Sequence, residues 1–302
     1  LHSFCLNFLR NNYAQVGYKM KIGLIDADLL DNGTRHPNLA LMKISGYMKA
    51  QGYETELLLN YSKIEEFNTV YVSKVFTFTH IPINLDEYDN VKYGGTGFFL
   101  ENAPNLPDEI EHHMPDYHLY DKFVENEIAR GIKAIKFKDY MDYSIGFSTR
   151  GCFRKCSFCV NKKYDRVFKH SPINEFYDPT RKYIYLWDDN FLAYSNWREV
   201  LNELETINKP FQFRQGLDIR LMTEEKAQRL SKMKYHGDYI FAFDHLKDRE
   251  LIEKNLKIWR KYCNKTTKLY ILSGYESQDE NDIKSIFQRI QILMRHKCLP
   301  YI

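Results

Sequence analysis

The 302-residue chain has no apolar run near the roughly 20 residues that a membrane-spanning helix needs. That sets a helical membrane protein aside. The first nineteen residues hold no uninterrupted apolar core ending in a small-residue cleavage site, so they do not read as a signal peptide. Cysteine is scarce, six in all. Cys5, Cys263 and Cys298 are scattered without framework spacing, which points away from a disulfide-stapled secreted domain and toward a reducing, cytoplasmic compartment. The net charge of +3 is too small to indicate nucleic acid, which normally selects a clustered basic face. The run Arg130–Lys138 holds basic residues among apolar ones and reads as a solvated face rather than an RNA stripe. What is abundant is aromatic surface, with 23 Tyr and 20 Phe, enough to fill a sizeable core in one large or two ordinary domains.

The other three cysteines stand together in Thr149-Arg-Gly-Cys152-Phe-Arg-Lys-Cys156-Ser-Phe158-Cys159, directly after the apolar, β-prone run Tyr143 to Ser148. They therefore lie on a loop leaving the C-terminal end of a strand. Three thiolates on one loop can hold a metal centre. Structural zinc normally takes four protein ligands, whereas a 4Fe-4S cluster held by three leaves one iron open. Arg154 and Lys155 lie inside the loop, either to offset a cluster's negative charge or as solvated loop charges.

Ahead of the loop, Lys21–Asp28 predicts a strand, 37–50 a helix with Leu41, Ile44 and Met48 at helical spacing, Tyr53–Leu59 a second strand and Asn68–Phe78 a third. This order suggests a small α/β unit over 20–101 with a parallel core. Gly94-Gly95-Thr96-Gly97 reads as an ordinary turn, lacking the spacing of a phosphate loop. Residues 102–141, with Pro104, Pro107 and Pro115 near their start, read as a linker, and His112-His113 there as solvated rather than metal-binding. Residues 1–19 read as an extension before Met20-Lys21-Ile22-Gly23, which looks like a natural start.

From residue 142 the pattern becomes regular. Strands are predicted at 143–149, 183–187, 211–217, 239–243 and 268–273, with helices near 195–207, 223–234, 248–262 and 279–296. A sixth strand begins at Leu299, so a further C-terminal segment is expected. Strands and helices alternating at this spacing mean βα units and parallel pairing, with chemistry at the strands' C-terminal ends.

The C-x3-C-x2-C spacing, with Phe158 before the last cysteine, resembles the signature of the radical S-adenosylmethionine (radical SAM) superfamily. The six βα units resemble its partial (βα)6 TIM-like barrel. The layout of 20–101 resembles the small Rossmann-like, cobalamin-binding-type domain that precedes the barrel in many such enzymes. The usual Asp-x-His-x-x-Gly motif is absent: the first loop offers His36 in Thr-Arg-His-Pro-Asn with no matching Asp and Gly, so the unit reads as a degenerate scaffold or substrate-recognition domain rather than a cobalamin binder. The resemblance implies that Cys152, Cys156 and Cys159 bind a 4Fe-4S cluster whose open iron chelates S-adenosylmethionine, with Phe158 near the adenine. It further implies that Asp188 and Asp189, in the Trp-Asp-Asp-Asn-Phe segment, accept the cofactor's ammonium. By the same likeness Arg220, oriented by Asp218, pairs with its carboxylate, Asp244 reaches the ribose, and the strand with Leu272 lines the adenine.

The implied reaction is reductive cleavage to a 5′-deoxyadenosyl radical that abstracts hydrogen from a small-molecule or peptide substrate, fed by an electron donor such as flavodoxin or ferredoxin. A cobalamin-dependent methyltransferase is the alternative within the family. A non-catalytic zinc or iron–sulfur module is the alternative outside it. No added RNA-binding domain and no second cysteine-rich module is visible in the sequence.

Overall fold

The computed structural model describes residues 20–302, and the extension expected over 1–19 lies outside them. Among the described residues no helix is long and apolar enough to cross a membrane. The first sheet contains β1 (Lys21–Asp26), β2 (Glu54–Leu57), β3 (Thr69–Ser73) and β4 (Val91–Gly94) in the order β2-β1-β3-β4, all parallel. β1 runs apolar on both faces, burying Ile22, Leu24 and Ile25, as a central parallel strand must. The helix Leu39–Ala50 crosses over to β2; Asn38 caps it by accepting from Leu41 N, and it buries Leu41, Ile44 and Met48.

Two elements here are invisible to periodicity. β1 stops at Asp26 because the Asp26 carboxylate accepts from Leu29 N and starts the short helix Ala27–Asn32. β4 is four residues long and half exposed, and carries no alternation to read. The Gly94–Gly97 stretch closes β4 and turns back onto β3's continuation, with Gly97 N donating to Lys74 O.

Residues 102–141 are not a linker. They hold the helix Asp121–Ala129 and bury Tyr117, Leu119, Tyr120, Val124, Phe137 and Tyr140 against Ile22, Leu24 and the helix Leu39–Ala50. The prolines and acids that suggested a linker decorate a stretch whose aromatics complete the first sheet's core. Tyr117 also hooks the stretch to the second half of the chain: its hydroxyl accepts from Ile145 N at 2.8 Å and donates to Phe176 O at 2.6 Å.

That second half starts with β5 (Tyr143–Gly146), continues through an antiparallel hairpin of β6 (Thr149–Arg150) and β7 (Phe168–Lys169), and then β8 (Tyr183–Leu186) and β9 (Phe211–Phe213). β5, β8 and β9 form one parallel sheet; β10 (Tyr239–Ala242), β11 (Thr267–Tyr270) and β12 (Leu299–Tyr301) form another. Parallel bridges Phe211↔Tyr235 and Leu217↔Phe241 join the two, so the six parallel strands follow one another in sequence order. Helices Trp197–Ile207, Glu224–Lys232, Arg249–Tyr262 and Glu280–Arg295 supply the crossovers. Trp259, Phe211, Phe213, Phe241 and Phe243 pack the shared core.

The strands are shorter than the apolar runs that announced them. β5 ends at Gly146, where a Cβ would stand 2.3 Å from Phe176 Cγ, and residues 147–150 leave the sheet to build the hairpin.

A buried ionic cluster ties the halves together. Lys43, only 4% exposed, reaches Glu111 at 2.7 Å, and Glu111 lies 3.3 Å from His170 at the root of the hairpin. Burial pushes the Glu111 carboxyl up, but His170 and Lys43 outweigh it and hold it at about 2. A depressed carboxyl contributes stability that is present above its unfolded value and lost as pH falls toward the folded one. Stability is therefore expected to fall between about pH 4.5 and about pH 2. In urea unfolding across that window, Glu111→Gln should flatten the acid limb; an unchanged limb would show that the cluster contributes nothing.

Candidate active site at the cysteine hairpin

The thiols ride on the loop 151–167 between β6 and β7. Gly151 sits at φ 91° and a Cβ there would meet Arg166 O at 2.2 Å, so only glycine lets the two arms close. Within the loop, Cys159 N donates to Cys156 O at 3.1 Å. Lys155 spans it by donating to Lys162 O at 2.6 Å and Tyr164 O at 3.0 Å, so its ammonium braces loop carbonyls. All five described cysteines are free, and Cys152, Cys156 and Cys159 are half-buried. Burial pushes the Cys156 thiol up; Arg220 opposes this, while Asp244, Cys159 and Cys152 add to it. The electrostatic surroundings of one cysteine thus include the other two and residues from two further strand ends.

The end of β8 fastens the loop. Asp188 is 1% exposed and accepts four hydrogen bonds, from Ser148 N (2.9 Å), Ser148 Oγ (2.5 Å), Thr149 N (2.9 Å) and Thr149 Oγ1 (2.7 Å). Burial raises its carboxyl to about 6 despite these donors. Asp189 accepts from Gly151 N at 2.6 Å and from Asn161 Nδ2 at 2.7 Å, clamping both arms. Asn190 donates through Nδ2 to Cys152 Sγ at 3.3 Å. The three consecutive side chains therefore hold the strand exit, the loop arms and one sulfur in turn. The two carboxylates expected at an ammonium both accept hydrogen bonds from the hairpin.

Arg154 leaves the loop to pair with Asp218 after β9. Asp218 also takes Arg220 Nε at 2.7 Å, and Arg220 Nη1 reaches Asp248 at 2.9 Å. The Arg220–Asp218 pairing expected from the sequence is thus present, with Arg154 as an additional partner. Asp244 follows β10 and burial raises its carboxyl, against the pull of Arg220, His245 and Arg289. Arg289, 2% exposed on the helix Glu280–Arg295, donates through Nη1 to Phe243 O (3.1 Å), Asp244 O (2.6 Å) and Leu272 O (2.9 Å). A buried guanidinium is tolerable when carbonyls surround it in this way. It fixes the ends of β10 and β11 and with them Asp244 and Leu272. Phe158 stands edge-on to Tyr275, 5.8 Å away, on the loop after β11. No local signal marks Arg289, because a lone arginine on an amphipathic helix reads as a surface residue.

The first sheet approaches the same strand ends. His36, on the loop before the helix Leu39–Ala50, has Nδ1 2.5 Å from Asp139 Oδ2, close enough for an ion pair though off the line of a hydrogen bond. Its Nε2 lies 3.4 Å from Arg214 Nη2, just after β9, and its ring stands edge-on to Trp187, just after β8. Asp139 and His36 lie far apart in the chain, so no local motif could have shown the pair. His112 is likewise engaged rather than solvated, 2.9 Å from Glu175.

Three free thiols on one braced loop, with N–H donors on Cys152 Sγ from Asn190 and Arg154 and on Cys159 Sγ from Asn161, have the donor chemistry of an iron–sulfur site. Among the described residues no three His, Cys, Asp or Glu side chains converge on a point to hold a single metal ion.

No protein-family model matches the chain, and no curated protein matches it by sequence. Solved structures do resemble it. The radical S-adenosylmethionine methyltransferase TsrM from Kitasatospora setae, with cobalamin and a 4Fe-4S cluster bound, superposes with a TM-score of 0.60 at 12% identity, covering 94% of this chain and 75% of that one. TsrM with tryptophan substrate and a SAM analogue (aza-SAM) bound gives 0.60 at 12% identity, over 91% of this chain and 71% of that one. The cobalamin-dependent S-adenosylmethionine radical enzyme OxsB with aqua-cobalamin gives 0.51 at 13% identity, over 91% of this chain and 52% of that one. At such identities the likeness shows that this chain shares the fold of these proteins.

Asp188→Asn replaces a carboxylate that accepts four hydrogen bonds by a carboxamide with one acceptor oxygen. Leaving buried donors unsatisfied should cost about 2–3 kcal/mol. Limited proteolysis should then cut within 151–167 before the rest of the chain; equal resistance in variant and wild type would show that the clamp is dispensable.

Proposed function

We propose that this chain is a radical SAM enzyme of the cobalamin-dependent kind, acting on a small-molecule acceptor. The observation that carries the reading is the cysteine hairpin: three thiols held at the C-terminal end of β5, braced by the end of β8 and facing Arg220 and Asp244 from later strand ends. In this reading residues 20–141 make one Rossmann-like unit and 142–302 a partial (βα)6 barrel.

Cys152, Cys156 and Cys159 would hold the 4Fe-4S cluster, and His36 and its neighbours would face cobalamin. When bound, these groups supply an electron to the sulfonium and a carrier for a methyl group. The chain's own residues do the positioning. Arg220, already gripped by Asp218 and Asp248, presents its guanidinium as the carboxylate partner of the cofactor. Asp244 stands within the same field as a partner for the ribose, and Phe158 with Tyr275 offers an apolar edge for adenine. Asp139 pairs with His36 at Nδ1 and Arg214 meets its Nε2, so His36 would border the cofactor rather than be held as a metal-binding imidazole.

Methyl transfer is preferred over hydrogen abstraction because, of the two proteins that give the likenesses above, one is a methyltransferase with cobalamin bound and the other is cobalamin-dependent. The aromatic ring of Trp187 and the guanidinium of Arg214, which meet His36 between the first sheet and β8 and β9, would border the acceptor.

Anaerobic reconstitution with iron, sulfide and cobalamin should give a brown protein that retains cobalamin and, with S-adenosylmethionine and reductant, forms S-adenosylhomocysteine. Release of 5′-deoxyadenosine alone would favour hydrogen abstraction, and a colourless protein carrying zinc would remove the enzyme reading. Cys156→Ala should lose the cluster while remaining folded; wild-type iron content in that variant would refute the ligand set.

A further inference from the structure

Among the described residues, five buried side-chain nitrogen or oxygen atoms have no hydrogen-bond partner. Four of them, His36 Nδ1, Arg150 Nε, Trp187 Nε1 and Asn190 Oδ1, gather where the first sheet meets the exits of β6 and β8. Native interiors rarely keep such orphans, and a group of them in one place marks a site that the chain alone does not complete. His36 Nδ1 has Asp139 beside it, and Asn190 is already bonded to Cys152 through Nδ2. Arg150 Nε and Trp187 Nε1 differ, because each can only donate and so each asks for an acceptor. Asp189 Oδ2 stands 3.6 Å from Arg150 Nε, too far for a hydrogen bond, and that carboxylate is committed to Gly151 N and Asn161 Nδ2.

The two donors share a neighbour. The Arg150 guanidinium carbon sits 4.0 Å from the centre of the Phe147 ring, and Trp187 stands edge-on to the same ring at 6.3 Å. Phe147 and Trp187 lie on the face of β5 and β8 that carries Tyr143, Ile145 and Tyr185, opposite the one on which Ile184 and Leu186 meet the barrel helices. Beyond Trp187 come His36 and then Arg214, which touches His36 and the Tyr185 ring and forms no ion pair among the described residues. Two guanidiniums and an indole N–H thus border one arc, and the carboxylates near it, Asp189 and Asp139, are engaged elsewhere.

On the reading above, we propose that the acceptor is a small carboxylic acid whose carboxylate is bound by Trp187 Nε1 and the Arg150 guanidinium, with Arg214 adding positive charge nearby. A carboxylate brings two acceptor oxygens to two obligate donors, one of them charged. A carboxamide would turn its own N–H groups toward a guanidinium, and a phosphate dianion would bring more oxygens than these donors fill. Arg220, the proposed partner of the cofactor's carboxylate, is held apart from this arc by Asp218 and Asp248, so the two anionic groups are read by different arginines.

The test titrates benzoate, benzamide and phenyl phosphate by calorimetry into the full chain, reconstituted anaerobically, with iron content measured on each sample. Wild type should bind benzoate roughly tenfold or more tightly than benzamide, the margin expected for a hydrogen bond to a charged group. Arg150→Gln should lose that preference, and Trp187→Phe, which keeps a ring but no N–H, should weaken benzoate roughly 3- to 10-fold. Both variants should keep their iron and their affinity for S-adenosylmethionine, because the donors read the acceptor and not the cofactor. Absence of saturable benzoate binding, equal affinity for benzoate and benzamide, or an unchanged preference in Arg150→Gln overturns the proposal. So does tighter binding of phenyl phosphate than of benzoate, or a loss of S-adenosylmethionine affinity that matches the loss of benzoate. Failure of the wild type to take up iron would instead overturn the cluster reading on which the proposal rests, and the iron measurement scores it separately.

Discussion

The hydrogen bonds that Asp188 and Asp189 accept from the cysteine hairpin, with the one that Asn190 donates to Cys152, are the constraint on which the site depends. A loop carrying three thiols on a two-residue hairpin has little regular structure of its own: β6 and β7 pair over two residues each. Its geometry must be imported. It comes from the end of the next parallel strand, where one side chain fixes the loop's entrance, the next fixes both arms and the third holds a sulfur. Parallel β5–β8 pairing makes this possible, because it sets the C-terminal ends of both strands side by side.

The same device recurs around the mouth. Asp218 joins Arg154 of the loop to Arg220 beyond β9, and Arg289 ties β10 to β11 through three carbonyls. Charges that would be expensive alone are each given several partners, and the strand ends are thereby held in register. The first sheet is fastened to this frame by Tyr117 and by the Lys43–Glu111–His170 chain. That places His36 against Trp187 and Arg214 at the ends of β8 and β9.

Much of this was legible from the residues. Alternation and capping located the later strands and helices to within a few positions, because long amphipathic helices such as Arg249–Tyr262 and buried strands such as Phe211–Phe213 carry strong patterns. The cysteine spacing singled out three thiols that the structure carries on one braced loop. What could not be read is non-local. Residues 102–141 looked like a linker since their prolines and acids are local signals, whereas Tyr117 and Tyr120 find their core only in the folded chain. Asp188 and Asp189 are expected at the cofactor by resemblance of their segment to the family's motif, and the donors that engage them in this chain come from about forty residues earlier, which no local signal shows. The partnership of His36 with Asp139 is hidden for the same reason.

The central claim is that three thiols of one hairpin hold a cluster whose remaining iron is free for S-adenosylmethionine. The electron paramagnetic resonance spectrum of the reduced, reconstituted chain before and after adding S-adenosylmethionine tests it directly. A 4Fe-4S signal whose shape changes on addition is the predicted result. A spectrum with no such cluster, or one indifferent to S-adenosylmethionine, would contradict it.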